Sequence, residues 1–257
     1  MTTVAGFAST VFVPLTASVY AYAGRERTVL LLALFVAIIV IPLNATLPKL
    51  PLSDARIARI DEAPPVGWSP PLASLTLVFA LQAFASSGTT VHLVSLLRDR
   101  GHEVGEAAVI AGLVGAAQVP ARLAFGPFQR LAPARARLPI LFGAQAVAAI
   151  ALLVRSPSVA ILAVVVTGAA NGLVTLERAT VIARAFGVER YGEISGRMAT
   201  FAQLSRAASP FLVGMAAGAW SYDVALAALA CITGASSAIA WTAFPPSETS
   251  GSQASST

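Results

Sequence analysis

Charge is scarce in this chain of 257 residues: Asp, Glu, Lys and Arg together supply 11%, against roughly a quarter in a soluble domain. Most of the sequence is therefore excluded from life as a water-soluble globule. Cysteine is reduced to Cys231, which rules out an internal disulfide framework and, inside an apolar stretch, reads as a small core- or lipid-facing residue. The two histidines, His92 and His102, are remote in depth from every acid except loop residues. That leaves no metal-ligand cluster and no nucleophile with its base. No cofactor is implied, and no Walker-type glycine loop is present to cradle a nucleotide. The net charge of +5 comes without a basic patch or binding motif, so nucleic acid is not an expected partner.

What the chain has instead is apolar surface: 56% hydrophobic residues and a mean hydropathy of +0.77. A helix needs about 20 mainly apolar residues to cross the hydrocarbon core. Eight stretches qualify, at residues 5–24, 28–47, 72–97, 107–128, 137–154, 158–183, 196–220 and 223–244. They are long and continuous, without the ten-residue alternation of a barrel strand. The expected fold class is an all-α, eight-helix membrane protein whose first partner is the lipid bilayer. The start, MTTVAGFAST, lacks a basic n-region and runs into a stretch of spanning length, which reads as a retained helix rather than a cleaved signal peptide.

With the N-terminus inside, the inner segments hold Lys49, Arg56, Arg59, Arg130, Arg135, Arg137, Arg184 and Arg190, and the outer ones Arg25, Arg27, Arg98, Arg100 and Arg155. This inner excess predicts a multi-pass protein of the cell membrane with both termini cytoplasmic. Most connections are short, which makes consecutive helices antiparallel neighbours. The exception is the Pro-rich inner segment 48–71, expected to be a linker. Its centre, SDARIARIDEA, is either solvated or a short surface helix capped by Ser53. The Ser-rich tail, residues 245–257, is expected to be disordered.

Polar content follows a three-helix rhythm: polar-flecked, bland, then polar-flecked twice before each further bland stretch. That makes two complete triplets, 72–154 and 158–244, preceded by two-thirds of another. The middle member of each triplet carries a proline: Pro14 in GFASTVFVPLT, Pro120 in GLVGAAQVPARL and Pro210 in MATFAQLSRAASPFLVG. These three are expected helix kinks. Successive middle helices cross the membrane in opposite senses, as inverted repeats require.

Across essentially its whole length the chain resembles the major facilitator superfamily, most clearly in GFASTVFVPLT, GLVGAAQVPAR and the segment from TGAANG to RYGEISGRM. Members typically have twelve helices in four three-helix repeats. The resemblance implies that the eight stretches match the fifth through twelfth helices. Residues 1–47 would then be the last two helices of the N-terminal half, 48–71 the central cytoplasmic loop and 72–244 a complete six-helix C-terminal half. On this match the chain is an N-terminally truncated, partial form of the fold. In the family the first helix of each triplet lines the central cavity, the second flanks it and the third lies outside. One motif departs: the loop after the second helix normally reads glycine, three residues, aspartate, arginine, whereas GPFQRLAPARAR has Gly126, Arg130, Arg135 and Arg137 but no acid.

At 1.5 Å per residue from each helix start, the bilayer midplane falls near Gln82, Gln118, Asn171 and Arg206. As a set these are the candidate substrate-binding residues. Singly, each amide also fits a role as packing glue between helices. Arg122 and Arg206 lie inside apolar runs and require partners or a ligand. Glu177, about 28 Å along its helix, sits near the inner boundary; it is a gating candidate, with pairing to Arg122 as one arrangement. The adjacent Arg178 points about 100° away from it. His92, near the outer boundary, is either a proton-coupling residue or an interfacial histidine bonded to a backbone carbonyl; His102, in an outer loop, is expected to be solvated. Glycines at spacing three to four in GLVGAAQ and TGAANG permit close helix contact.

The resemblance implies secondary active transport of a small solute by alternating access, with proton or ion coupling left open. An unpaired Arg206 points to an organic anion. This polypeptide alone is expected to be inactive, since one cavity wall is missing from the match. The alternatives are a non-transporting membrane subunit or remnant and, in another class, a membrane-embedded enzyme.

Overall fold

The computed structural model describes residues 2–46 and 67–243. The expected linker helix at residues 53–63 and the expected tail lie outside them. Among the described residues the fold is all helix, with no strand. The chain forms two compact units, one holding residues 11–67 and the other the rest.

Helix α1 (Thr2–Ala45), which from residue 11 onward belongs to the first unit, is interrupted at Gly24, whose φ of 72° and ψ of 175° break the helical path. Glycine reaches that conformation without a Cβ penalty. The Thr28 hydroxyl donates to the Gly24 carbonyl at 2.7 Å and secures the restart. The two expected spans therefore meet at a glycine, and the helical backbone runs through Pro14.

The second unit contains α2 (Pro70–Asp99), α3 (Val104–Leu123), α4 (Phe125–Leu131), α5 (Ala134–Ala151), α6 (Pro157–Phe186), α7 (Tyr191–Ala219) and α8 (Tyr222–Ala243). Local chemistry sets the ends. Ser69 caps α2, accepting from the Leu72 amide, and Pro70 and Pro71 follow where no donor is needed. Gly101, at φ 90°, turns the chain out of α2, and Gly187, at φ 80°, out of α6. The stretch expected to run helically over 107–128 instead stops at Leu123, just after Pro120, and the separate short helix α4 follows.

Among the described residues, six helices are long and apolar enough to cross a membrane: Tyr22–Ala45, Pro70–Asp99, Val104–Leu123, Ala134–Ala151, Pro157–Phe186 and Tyr222–Ala243. At 29 residues α7 has the length, but polar side chains including Arg197, Gln203 and Arg206 keep it out of that set.

Packing in this unit is symmetric. The most extensive pairings are α2 with α7, α3 with α6 and α5 with α8, followed by α2 with α8 and α5 with α6. Taking α2, α3, α5 and α6, α7, α8 as triplets, exchanging the two leaves this pattern unchanged, as for inverted repeats. Each first helix admits the middle helix of the other triplet at a glycine. A Cβ on Gly88 of α2 would meet Ser209 Oγ at 2.7 Å and Val213 Cγ2 at 2.8 Å on α7. On α6, a Cβ on Gly168 would collide with the Val114 backbone, and one on Gly172 would lie 2.8 Å from the Gln118 carbonyl of α3. Lipid tails are as apolar as leucine, so such close contact, rather than expulsion from water, holds membrane helices together.

Gly172→Ala should therefore destabilise the protein by about 1–3 kcal/mol, because the backbone opposite cannot rotate away. Gly218→Ala, where nothing lies within 4 Å, should be neutral or slightly stabilising. Denaturant unfolding of both variants in mild detergent measures the difference.

Candidate functional site

Helices α2, α3, α6 and α7 surround a cavity of about 420 Å³, within the range of small-molecule sites. Gln82, Gln118, Asn171 and Arg206 all line it, one from each of the four helices. Three further polar residues contribute: Ser86, one turn beyond Gln82, and Thr175 and Arg178, four and seven residues beyond Asn171 on the same helical face. No Asp or Glu is among the lining residues.

Asn171 is the hub of the wall. Its Oδ1 accepts from Ser86 Oγ at 3.0 Å and, at the long distance of 3.4 Å, from Gln82 Nε2 and Gln145 Nε2. Gln82 Nε2 also lies 3.3 Å from Gln145 Oε1. Gln82 and Gln145 are buried and Asn171 half-buried; Gln82 and Asn171 line the cavity, whereas Gln145 ties them to α5 from behind. Gln118 accepts from Arg122 Nη2 at 3.2 Å, one turn along α3. Arg178 donates to the Ser195 carbonyl at 3.3 Å, and its guanidinium carbon lies 5.7 Å from the Phe79 ring centroid, in cation–π range. Arg206 is exposed.

Pro210 shapes the α7 side. Lacking an N–H, it leaves the Arg206 carbonyl without its helical donor. Ser87 of α2 supplies one instead, at 3.1 Å. In return Ser209 Oγ donates to the Phe84 carbonyl at 2.6 Å, and His92 Nε2 lies 2.9 Å from the Pro210 carbonyl. A carbonyl only accepts, so Nε2 carries the proton in this contact.

Glu177 is fully buried, and its ion-pair partner is Arg137, with Nη1 to Oε1 at 3.6 Å. Arg122 is engaged with Gln118 instead, so the pairing of Glu177 with Arg122 is replaced by this one. Arg137 also donates to the Ala132 and Gln129 carbonyls at 3.0 and 2.7 Å. It thereby anchors the connection between α4 and α5. The loop segment that lacks its own acid draws one from α6.

A second charged cluster joins other helix ends: Asp223 takes Arg100 at 3.0 Å and Arg155 at 3.4 Å. Beside it, His102 Nδ1 lies 3.1 Å from Glu106 Oε1 with only 11% of its side chain exposed. The expected solvated histidine is thus a paired one.

Ser86, Gln145, Thr175 and the cavity role of Arg178 escape a reading by depth alone. The spacing of Asn171, Thr175 and Arg178 was a usable signal. Gln145, in a helix otherwise bland, was the other.

Glu177→Leu should cost about 3–5 kcal/mol, because it leaves Arg137 as an uncompensated buried charge. Arg137→Leu should cost at least as much, since two carbonyls also lose donors. Unfolding free energies of both singles and the double variant test this. A double-variant loss equal to the sum of the singles would mean that the pair does not couple.

No curated protein matches the chain. The family model of the Major Facilitator Superfamily matches residues 1–210, well over half of the sequence. Together with the apolar helices, this match makes the chain a multi-pass membrane protein of the major facilitator superfamily, a family of solute transporters rather than enzymes.

Proposed function

We propose that this protein takes part in secondary active transport of a small organic anion by alternating access. The observation that carries the reading is the cavity between α2, α3, α6 and α7. It presents Arg206 and three amides, and none of its lining residues is an acid. A guanidinium without a fixed counter-ion suits a bidentate oxyanion ligand. Gln82, Gln118, Asn171 and Arg206 form the substrate wall. Arg122, Glu177 and His92 serve gating or coupling, and Pro14, Pro120 and Pro210 bend their helices.

Residues 72–244 are on this reading the six-helix half, built of repeats 72–154 and 158–244, with eight spans in the chain. Alternating access needs a second half to rock against the first. The purified chain alone is therefore not expected to transport. Reconstituted into liposomes, it should show no saturable uptake, and uptake of any solute would sink this part of the proposal. Binding is tested separately in nanodiscs: butyrate should raise the melting temperature, butyramide should not, and Arg206→Gln should remove the butyrate effect while remaining folded. An undiminished butyrate shift in Arg206→Gln would exclude Arg206 as the anion's partner.

Both termini are placed in the cytoplasm of a plasma-membrane protein, on the inner excess of Arg and Lys. With Cys231 replaced by serine, an impermeant thiol reagent applied to intact cells should label Asp99→Cys and spare Gly67→Cys. The opposite pattern reverses the orientation.

A further inference from the structure

We propose that the solute is a dianion, with Arg178 and Arg206 each engaging one of its two oxyanion groups; this rests on the anion reading above. The two guanidinium groups come from different helices, α6 and α7, yet line one cavity. Among the described residues neither forms an ion pair with a carboxylate. What holds Arg178 is uncharged, the Ser195 carbonyl and the face of Phe79. Both contacts fix its position and leave its charge uncompensated.

Two like charges facing a space walled by low-dielectric protein repel each other more strongly than in water. A monoanion cancels one charge and leaves the other; a dianion cancels both. Of the lining amides, Asn171 Oδ1 accepts three donors and Gln118 Oε1 accepts from Arg122, whereas Gln82 Nε2 donates to Gln145 and Asn171. Charge selection therefore rests on the two guanidinium groups, and neutral forms, which compensate neither charge, bind poorly. One carboxylate of the dianion goes to each arginine, since the two stand on separate helices around the cavity.

The test uses the purified chain in nanodiscs and reads ligand-induced thermal stabilisation in slightly alkaline buffer. The probes are succinate, its monomethyl ester and succinamide, which share a carbon skeleton and carry two, one and no charges. Succinate should half-saturate at a concentration about tenfold or more below the monomethyl ester, and succinamide should have no effect. Arg178→Gln should abolish the preference for succinate over the ester. Arg178→Lys, which keeps the charge, should restore part of the preference even if the glutamine variant folds poorly. Equal half-saturation of succinate and its ester in the parent protein overturns the dianion, as does an intact preference in Arg178→Gln. Stabilisation by neither anion overturns the anion reading as well, which separates the two failures.

Discussion

Hydrocarbon offers no hydrogen bonds, and that constraint governs where polar atoms sit in this bundle. Hydroxyls inside the helices turn back on their own backbone: Thr76 to Leu72, Thr167 to Ala163, Thr233 to Leu229 and Ser236 to Ile232. These bonds satisfy the donor without calling on a neighbouring helix. At Pro210, where a proline removes a backbone donor, the deficit is met from across an interface by Ser87, which donates to the Arg206 carbonyl. Ser237 of α8 likewise reaches across an interface, donating to the Pro139 carbonyl on α5. Gln82, Ser86 and Asn171, which bond between helices rather than to their own backbone, line the cavity.

The Glu177–Arg137 pair follows the same constraint at higher stakes. Its two side chains are almost wholly buried, and neither carboxylate oxygen makes a hydrogen bond. Such a pair contributes little net stability compared with apolar residues of equal volume, because desolvation offsets the attraction. What it does supply is a penalty for separation. Arg137 is tied to the connection between α4 and α5 through two carbonyls, so moving that connection away from α6 would strand a charge on each side.

Much of the architecture was legible in the sequence because lipid makes apolar length a direct readout of spanning. The boundaries near Pro70, Pro157 and Tyr222 fell within a few residues of the apolar edges. The break at Leu123 was not legible, since the residues through Phe128 remain apolar and only Pro120 hints at a stop. Depth, computed from a constant rise, placed Gln82, Gln118, Asn171 and Arg206 at one level, and the structure places all four around one cavity. Depth says nothing of azimuth, however. Arg178 lies outside that level, and only its angular alignment with Asn171 and Thr175 brings it to the cavity. The partner of Glu177 was missed for a related reason: Arg137 begins the following helix and was assigned to a loop. Partner choice across helices depends on tertiary packing that no local pattern encodes.

The symmetric pairing of helices explains why the cavity forms where it does. Each first helix packs against the other triplet's middle helix at a glycine, at Gly88 in one case and at Gly168 and Gly172 in the other. These contacts fix α2, α3, α6 and α7 as two close pairs, with their polar residues on the remaining shared space. The third helices, α5 and α8, pair with each other and support α6 and α2. Their composition can be bland because they have no cavity to line. Gln145 is the exception that follows from the same geometry: α5 supports α6 directly behind Asn171, and an amide there steadies the hub from outside the cavity. Disturbing this supporting contact would alter the site without touching its lining, so the wall's chemistry is set one helix further out than the residues a solute would meet.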